Sequence, residues 1–200
     1  NLDYKLREEL RLELPKIFAA SGAIFVYATT EPSEALLLGG NTATLSQGSI
    51  TQFGRTIDVY RHPSDLVTAR TFADPPLNTM QVLKNGAHFE VGGKPVLPVP
   101  AHLATLPDGP CTIAFHPHHL ALTSRHPTSA SLQVRTAISE IAGSESFIYI
   151  EFEGSRWVML SPGIHDIEPD AIITVHVDTR HLMAFGTDGR AIAEPAAAAA

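Results

Sequence analysis

The densest group of chemically capable side chains is His116-Pro117-His118-His119, with His126 nearby. Imidazole is a common zinc ligand, so metal binding has to be weighed. A structural zinc site normally takes four ligands, each oriented by a further hydrogen-bond partner. This stretch offers neither a cysteine pair nor a carboxylate close in sequence, so it reads as a solvated turn and no metal ligand is assigned. Cys111 would be nucleophilic only beside a base, and a lone cysteine next to a predicted strand reads as inert packing. Asp166, Glu168 and Asp170 alternate with Ile167 and Pro169 and lack the glycine and distal glutamate of a calcium loop, so an acidic turn is expected. Trp157 and Phe152 have faces suited to sugars, but their strand spacing reads as core. A Gly-x-x-x-x-Gly-Lys-Ser/Thr loop, which would wrap phosphates in backbone amides, occurs nowhere in the 200 residues.

The elements that must position these groups follow from periodicity. Leu6, Leu10, Leu14, Ile17 and Phe18 recur at helical spacing behind Asp3, with charged residues on the opposite face, which predicts an amphipathic helix over residues 4–20. Residues 23–28 form a nearly all-apolar run, as in a strand covered on both faces of a parallel sheet. Thr29 and Thr30 then lie where a helix N-cap belongs, with Pro32 in the first turn of a short helix over residues 33–38. Helix, buried strand, helix is an α/β pattern. Gln47-Gly48 separates two strands of a hairpin, and helical pieces follow at residues 57–60 and 65–72.

Pro75 and Pro76 lack backbone donors and break helices, so a domain boundary is placed there. Beyond it come short strand-like runs at residues 80–83, 87–91, 112–115, 132–138, 146–152, 157–160, 172–177 and 182–185, which indicate a small barrel or sandwich. The division is therefore 1–74, an α/β fragment; 75–193, an all-β unit; and 194–200, an alanine tail set aside from the fold. The formal charge of -7, with 14 Lys and Arg, gives no basic field for a phosphodiester backbone, so nucleic acid is excluded as a partner. One cysteine fits a reducing compartment, and no apolar run approaches the roughly 20 residues that span a bilayer. The chain opens Asn1-Leu2-Asp3 with neither a methionine nor a signal-peptide pattern, and reads as a piece of something longer.

Asn1-Leu2-Asp3-x-Lys5-Leu6-Arg7 resembles the D-loop and following helix of ABC-type ATPases. Val26-Tyr27-x-Thr29-x-x-x-x-Glu34-Ala35 resembles their switch strand and helix. Gly48-x-Ile50-x-Gln52-x-Gly54 and Val59-Tyr60-x-x-Pro63 resemble the stretch that follows in carbohydrate-importer ATPases. Pro117-x-His119-Leu120, Gly143-Ser144-Glu145, and Arg180-His181-Leu182 through Gly189-Arg190-Ala191-Ile192 resemble the regulatory TOBE domain, an OB-like barrel, of the maltose and glycerol-phosphate group. Each piece is short; their shared order carries the resemblance. Leu38-Gly39-Gly40-Asn41 is similar to the family's signature segment but lies on the wrong side of the switch strand, and reads as a glycine turn.

The resemblance implies the C-terminal part of an ATP-binding subunit of an importer for sugars, polyols or glycerol-phosphate-like solutes. It implies ATP and Mg²⁺ in the full-length protein, permease subunits, a second ATPase subunit in a homo- or heterodimer, and a cytoplasmic position against the membrane. A regulatory protein or small solute would bind the β domain. Asp3 would reach the partner's phosphate loop in an assembled dimer, and Gly143, Ser144 and Glu145 mark the regulatory domain. The departures are specific: Thr30 stands where the family has its γ-phosphate histidine, Gly39-Gly40-Asn41 replaces Ala-Asp-Arg, and the histidine stretch falls on an Arg-Pro-Glu-His turn. A hydroxyl lacks an imidazole's reach and proton chemistry. The chain alone is therefore expected neither to hydrolyse nor to bind ATP tightly. The alternatives are a non-enzymatic binding or scaffold module derived from such a subunit, or an oxyanion binder.

Overall fold

The computed structural model describes residues 13–18 and 20–192. Residues 13–18, 20 and 21 are helical, in keeping with the end of the predicted first helix; the rest of that helix lies outside the described residues. The expected strand at residues 23–28 does not form. The segment is non-regular, with Ile24 at 96% and Val26 at 95% exposure. An apolar run becomes a strand only when a neighbour takes its backbone bonds, and among the described residues no strand pairs with it. The α/β layer read from the sequence is thus not assembled by these residues.

Helix α1 (Pro32–Leu38) has proline in its first turn, as expected, and ends at Gly39. Gly39 and Gly40, at φ 65° and 70°, turn the chain into β1 (Asn41–Ser46), so Leu38-Gly39-Gly40-Asn41 is the glycine turn anticipated. Strand β2 (Ser49–Arg55) pairs with β1 across Gln47-Gly48, whose φ values of 47° and 77° match a primed hairpin turn. Helices α2 (Thr56–Arg61) and α3 (Leu66–Thr71) follow. Thr68 of α3 is fully buried, and its hydroxyl meets those of Thr44 at 3.2 Å and Thr51 at 2.9 Å, tying α3 to the hairpin. Asp65 caps α3 by accepting the Thr68 N–H at 2.7 Å.

The remainder is β structure, because the sequence alternates apolar and polar with period two. Strand β3 (Asn78–Asn85) shows it plainly, burying Met80 and Val82 while Gln81 and Leu83 face outward. One antiparallel sheet runs β12-β6-β3-β4-β5, from β3, β4 (His88–Val91), β5 (Lys94–Pro98), β6 (Gly109–Phe115) and β12 (Met183–Phe185). The second runs β10-β9-β8-β11-β7, from β7 (Leu120–Ala121), β8 (Ala130–Ile141), β9 (Glu145–Phe152), β10 (Ser155–Pro162) and β11 (Ile172–Val177). Its edge strands β10 and β7 come back into contact, so this sheet curls into a nearly closed barrel. Two strands were not anticipated: β5 carries Pro95 and Pro98, which a sheet tolerates at its edge, where β5 lies, and β7 is only two residues long.

One core fills the space between the sheets, with Phe89, Phe115, Leu97, Ile113, Ile148 and Met159 fully buried. Trp157 and Phe152 belong to it, as their spacing predicted, and so does Cys111, whose thiol is pushed up by burial. A buried amide staples the sheets together: Asn78 of β3 donates from Nδ2 to Val158 O and accepts the Val158 N–H at Oδ1, both at 2.8 Å. The chain then returns past α3, where Leu66 N–H donates to Gly189 O and Ala191 N–H to Ser64 O. Ala69, Ala114, Met183 and Phe185 form a second small core there.

Candidate functional site

Asp3 lies outside the described residues. Thr30 is exposed at the bend before α1 and does not cap it: the N-cap is Glu31, without a side-chain capping bond. Proline disfavours helical backbone in the residue before it, so Pro32 fixes the cap on extended Glu31 and leaves Thr30 one position outside. Thr29 does the local work instead, accepting the Glu31 N–H at 2.9 Å and donating to buried Glu34. Gly143, Ser144 and Glu145 form the turn and first residue of the β8–β9 hairpin. Gly143 takes φ 76°, Ser144 O accepts the Gly163 N–H and Glu145 O accepts the Ala142 N–H. Asp166, Glu168 and Asp170 are exposed, as an acidic turn should be.

The histidines differ from the expected solvated turn. His118 is exposed, but His116 and His119 are half-buried, because Pro117 between them packs into the interior and draws its neighbours down. The 3-10 turn Pro117–His119 leads directly into β7, and β7 pairs antiparallel with β11 in the register Leu120↔Val177. His119 and Asp178 are therefore cross-strand neighbours, and Asp178 N–H donates to His119 O at 2.9 Å. Asp178 opens a second 3-10 turn, Thr179–His181, in which residues three apart nearly eclipse, so His181 stands beside it. His181 Nε2 lies 3.8 Å from Asp178 Oδ2, and the His119 and His181 rings stack with centroids 3.9 Å apart and 5° between their planes. The His118 ring is 4.1 Å from that of His119, and His116 lies between His118 and Tyr60. A carboxylate absent from the local sequence is thus supplied by tertiary structure. Its one sequence signal was the spacing Asp178-x-x-His181.

The electrostatics follow from burial. Desolvation, helped by mutual repulsion among the imidazoles, pushes His116 down to about 4 and His119 to about 2, and lowers His118 and His181 as well. These rings are neutral at pH 7, with lone pairs free to accept. Asp178 is held below the usual carboxylate range chiefly by Arg180, which donates from Nε to Oδ1 at 2.9 Å and from Nη2 to Oδ2 at 2.6 Å.

By sequence, this chain is homologous to the ATP-binding subunits of sugar and glycerol-phosphate importers. It is 26% identical over 198 residues to the sn-glycerol-3-phosphate import ATP-binding protein of Brucella abortus, covering 97% of this chain and 54% of that one. Against its Ruegeria pomeroyi counterpart identity is 30% over 206 residues, with the same coverage. Against the maltose/maltodextrin import ATP-binding protein of Vibrio cholerae it is 25% over 199 residues, covering 96% and 53%. No protein-family profile matches the chain. The chain spans about half the length of the curated relatives it matches. Among the described residues no helix is long and apolar enough to cross a membrane.

Proposed function

We propose that this chain is the C-terminal part of the ATP-binding subunit of an ABC importer for sugars, polyols or glycerol-phosphate-like solutes, supplying coupling and regulation. The observation that carries the reading is similarity running through 97% of the chain, in one order, to import ATP-binding proteins. The exposure of Ile24 and Val26 in the apolar segment at residues 23–28 supports it over a freestanding module. Burying an aliphatic side chain contributes about 1.5–3 kcal/mol, and Ile24 and Val26 leave that unused. In an assembled nucleotide-binding domain this segment is the buried switch strand, completing the α/β layer, and residues 75–193 are the TOBE barrel. The assembly works at the cytoplasmic face of the membrane with permease subunits and a second ATPase subunit, and ATP with Mg²⁺ belongs to it.

Thr30 at the switch-histidine position makes one ATP site weak, so the subunit either turns over ATP beside a partner subunit with an intact site or is an inactive paralogue. ATP hydrolysis by the full-length protein, alone and with candidate partner subunits, tests this. Activity in the mixed assembly or in neither is expected, and ordinary turnover by the protein alone would refute the degenerate switch. Titrating the chain alone with ATP is expected to show no measurable binding.

A further inference from the structure

We propose that His119, Asp178 and His181 form a binding site for one zinc-class divalent transition ion, with His118 the nearest further donor. The ligand atoms of His119, Asp178 and His181 already lie within 4.8 Å of one another. Three ligands of a tetrahedral zinc sit about 3.4 Å apart, as bonds of about 2.0–2.1 Å require, so the group has to close by up to about 1.4 Å. The gap between His181 Nε2 and Asp178 Oδ2 is 3.8 Å, close to that spacing. Two imidazoles and a carboxylate suit zinc, cobalt, nickel or copper; calcium and magnesium prefer sets made wholly of oxygen.

The backbone holds these residues in place. His119 and Asp178 are fixed by the β7–β11 pairing and by the bond between Asp178 N–H and His119 O. Thr179, between Asp178 and His181, is buried and anchored by its hydroxyl to Thr128 O at 3.0 Å. His181 is 35% exposed and His118 lies at the surface, so solvent ions reach the group. An imidazole binds a metal in its own ring plane. The parallel stack of His119 and His181 therefore cannot aim both rings at one point, and one ring turns about χ2 as the ion enters. Arg180 competes for the carboxylate, but each carboxylate oxygen has two lone pairs, and the guanidinium occupies one side of Asp178.

The site stands whether or not the transport role does. Its test uses the full-length protein, freed of metal with chelator and kept free of nucleotide, titrated with Zn²⁺ against a chromophoric chelator and separately with Co²⁺. One ion per chain and the visible absorption of tetrahedral or five-coordinate Co²⁺ are expected. His119→Ala, His181→Ala and Asp178→Asn should each weaken Zn²⁺ by at least ~10-fold, while exposed His88→Ala leaves it unchanged. Arg180→Ala removes the competing cation and should tighten binding, a gain that misfolding would not produce. Circular dichroism on each variant confirms its fold. Absence of binding, binding indifferent to all three substitutions, or binding lost with His88 would overturn the proposal.

Discussion

The buried amide of Asn78 offers a direct measure of what joins the two sheets. Strand β10 is an edge strand, so at Val158 its N–H and C=O turn away from β9, and Asn78 takes both at 2.8 Å. Asn78 and Val158 are 2% and 3% exposed, which leaves water little access. Asn78→Ala strands two buried backbone groups at about 1–3 kcal/mol each, a loss of about 2–6 kcal/mol. That is a large share of the roughly 5–15 kcal/mol that holds a domain folded. Asn78→Leu, which leaves little cavity, should lose nearly as much if the hydrogen bonds dominate. Asn78→Asp keeps the acceptor but sets a carboxylate against Val158 O, so at pH 7 it should lose more than the alanine variant. Burial raises that carboxyl's pKa; as pH falls through it the acid regains a donor and the deficit relative to alanine shrinks. Urea unfolding followed by Trp157, the sole tryptophan and 2% exposed, reads each loss as a midpoint shift at constant slope. A loss below about 0.5 kcal/mol for Asn78→Ala would refute the staple.

Further outcomes follow from other contacts. In chelator-treated protein the unfolded chain takes up histidine protons near 6.5, but folded His116 does so only near 4 and His119 near 2, so stability falls as pH drops below 6.5. Each should contribute a loss of about 2 kcal/mol between pH 6.5 and 5, measured by urea midpoints, and His116→Gln should remove its share. Lys84 is buried with its ammonium 2.7 Å from the Asp108 carboxylate, which is held below its usual range chiefly by that bond. Asp108→Asn should therefore lower the thermal midpoint at pH 7, and the gap from the parent should close as pH falls through the folded Asp108 pKa. Thr68→Val keeps the shape of α3 but removes its hydroxyl from Thr44 and Thr51, and should cost about 1 kcal/mol by urea unfolding.

Period-two runs made most β-strands legible, since alternation is a local property that each strand carries in its own residues. Gln47-Gly48 and Leu38-Gly39-Gly40-Asn41 were likewise readable, because left-handed backbone is a property of the residues that adopt it. The ordered segments pointing to importer ATP-binding subunits were present in the sequence as well. Pairing was not. Residues 23–28 look like a buried strand, but an apolar run cannot state which strand will pair with it, and among the described residues no strand does. Prolines disguised β5, because only its place at a sheet edge makes them harmless. Pro32 moved the helix cap off Thr30 through a steric effect on its neighbour. The histidine group shows the division most clearly: the sequence displayed the imidazoles, while the carboxylate beside them arrives through the Leu120↔Val177 register. Register is set by which faces a whole sheet must bury, so only the assembled barrel decides it.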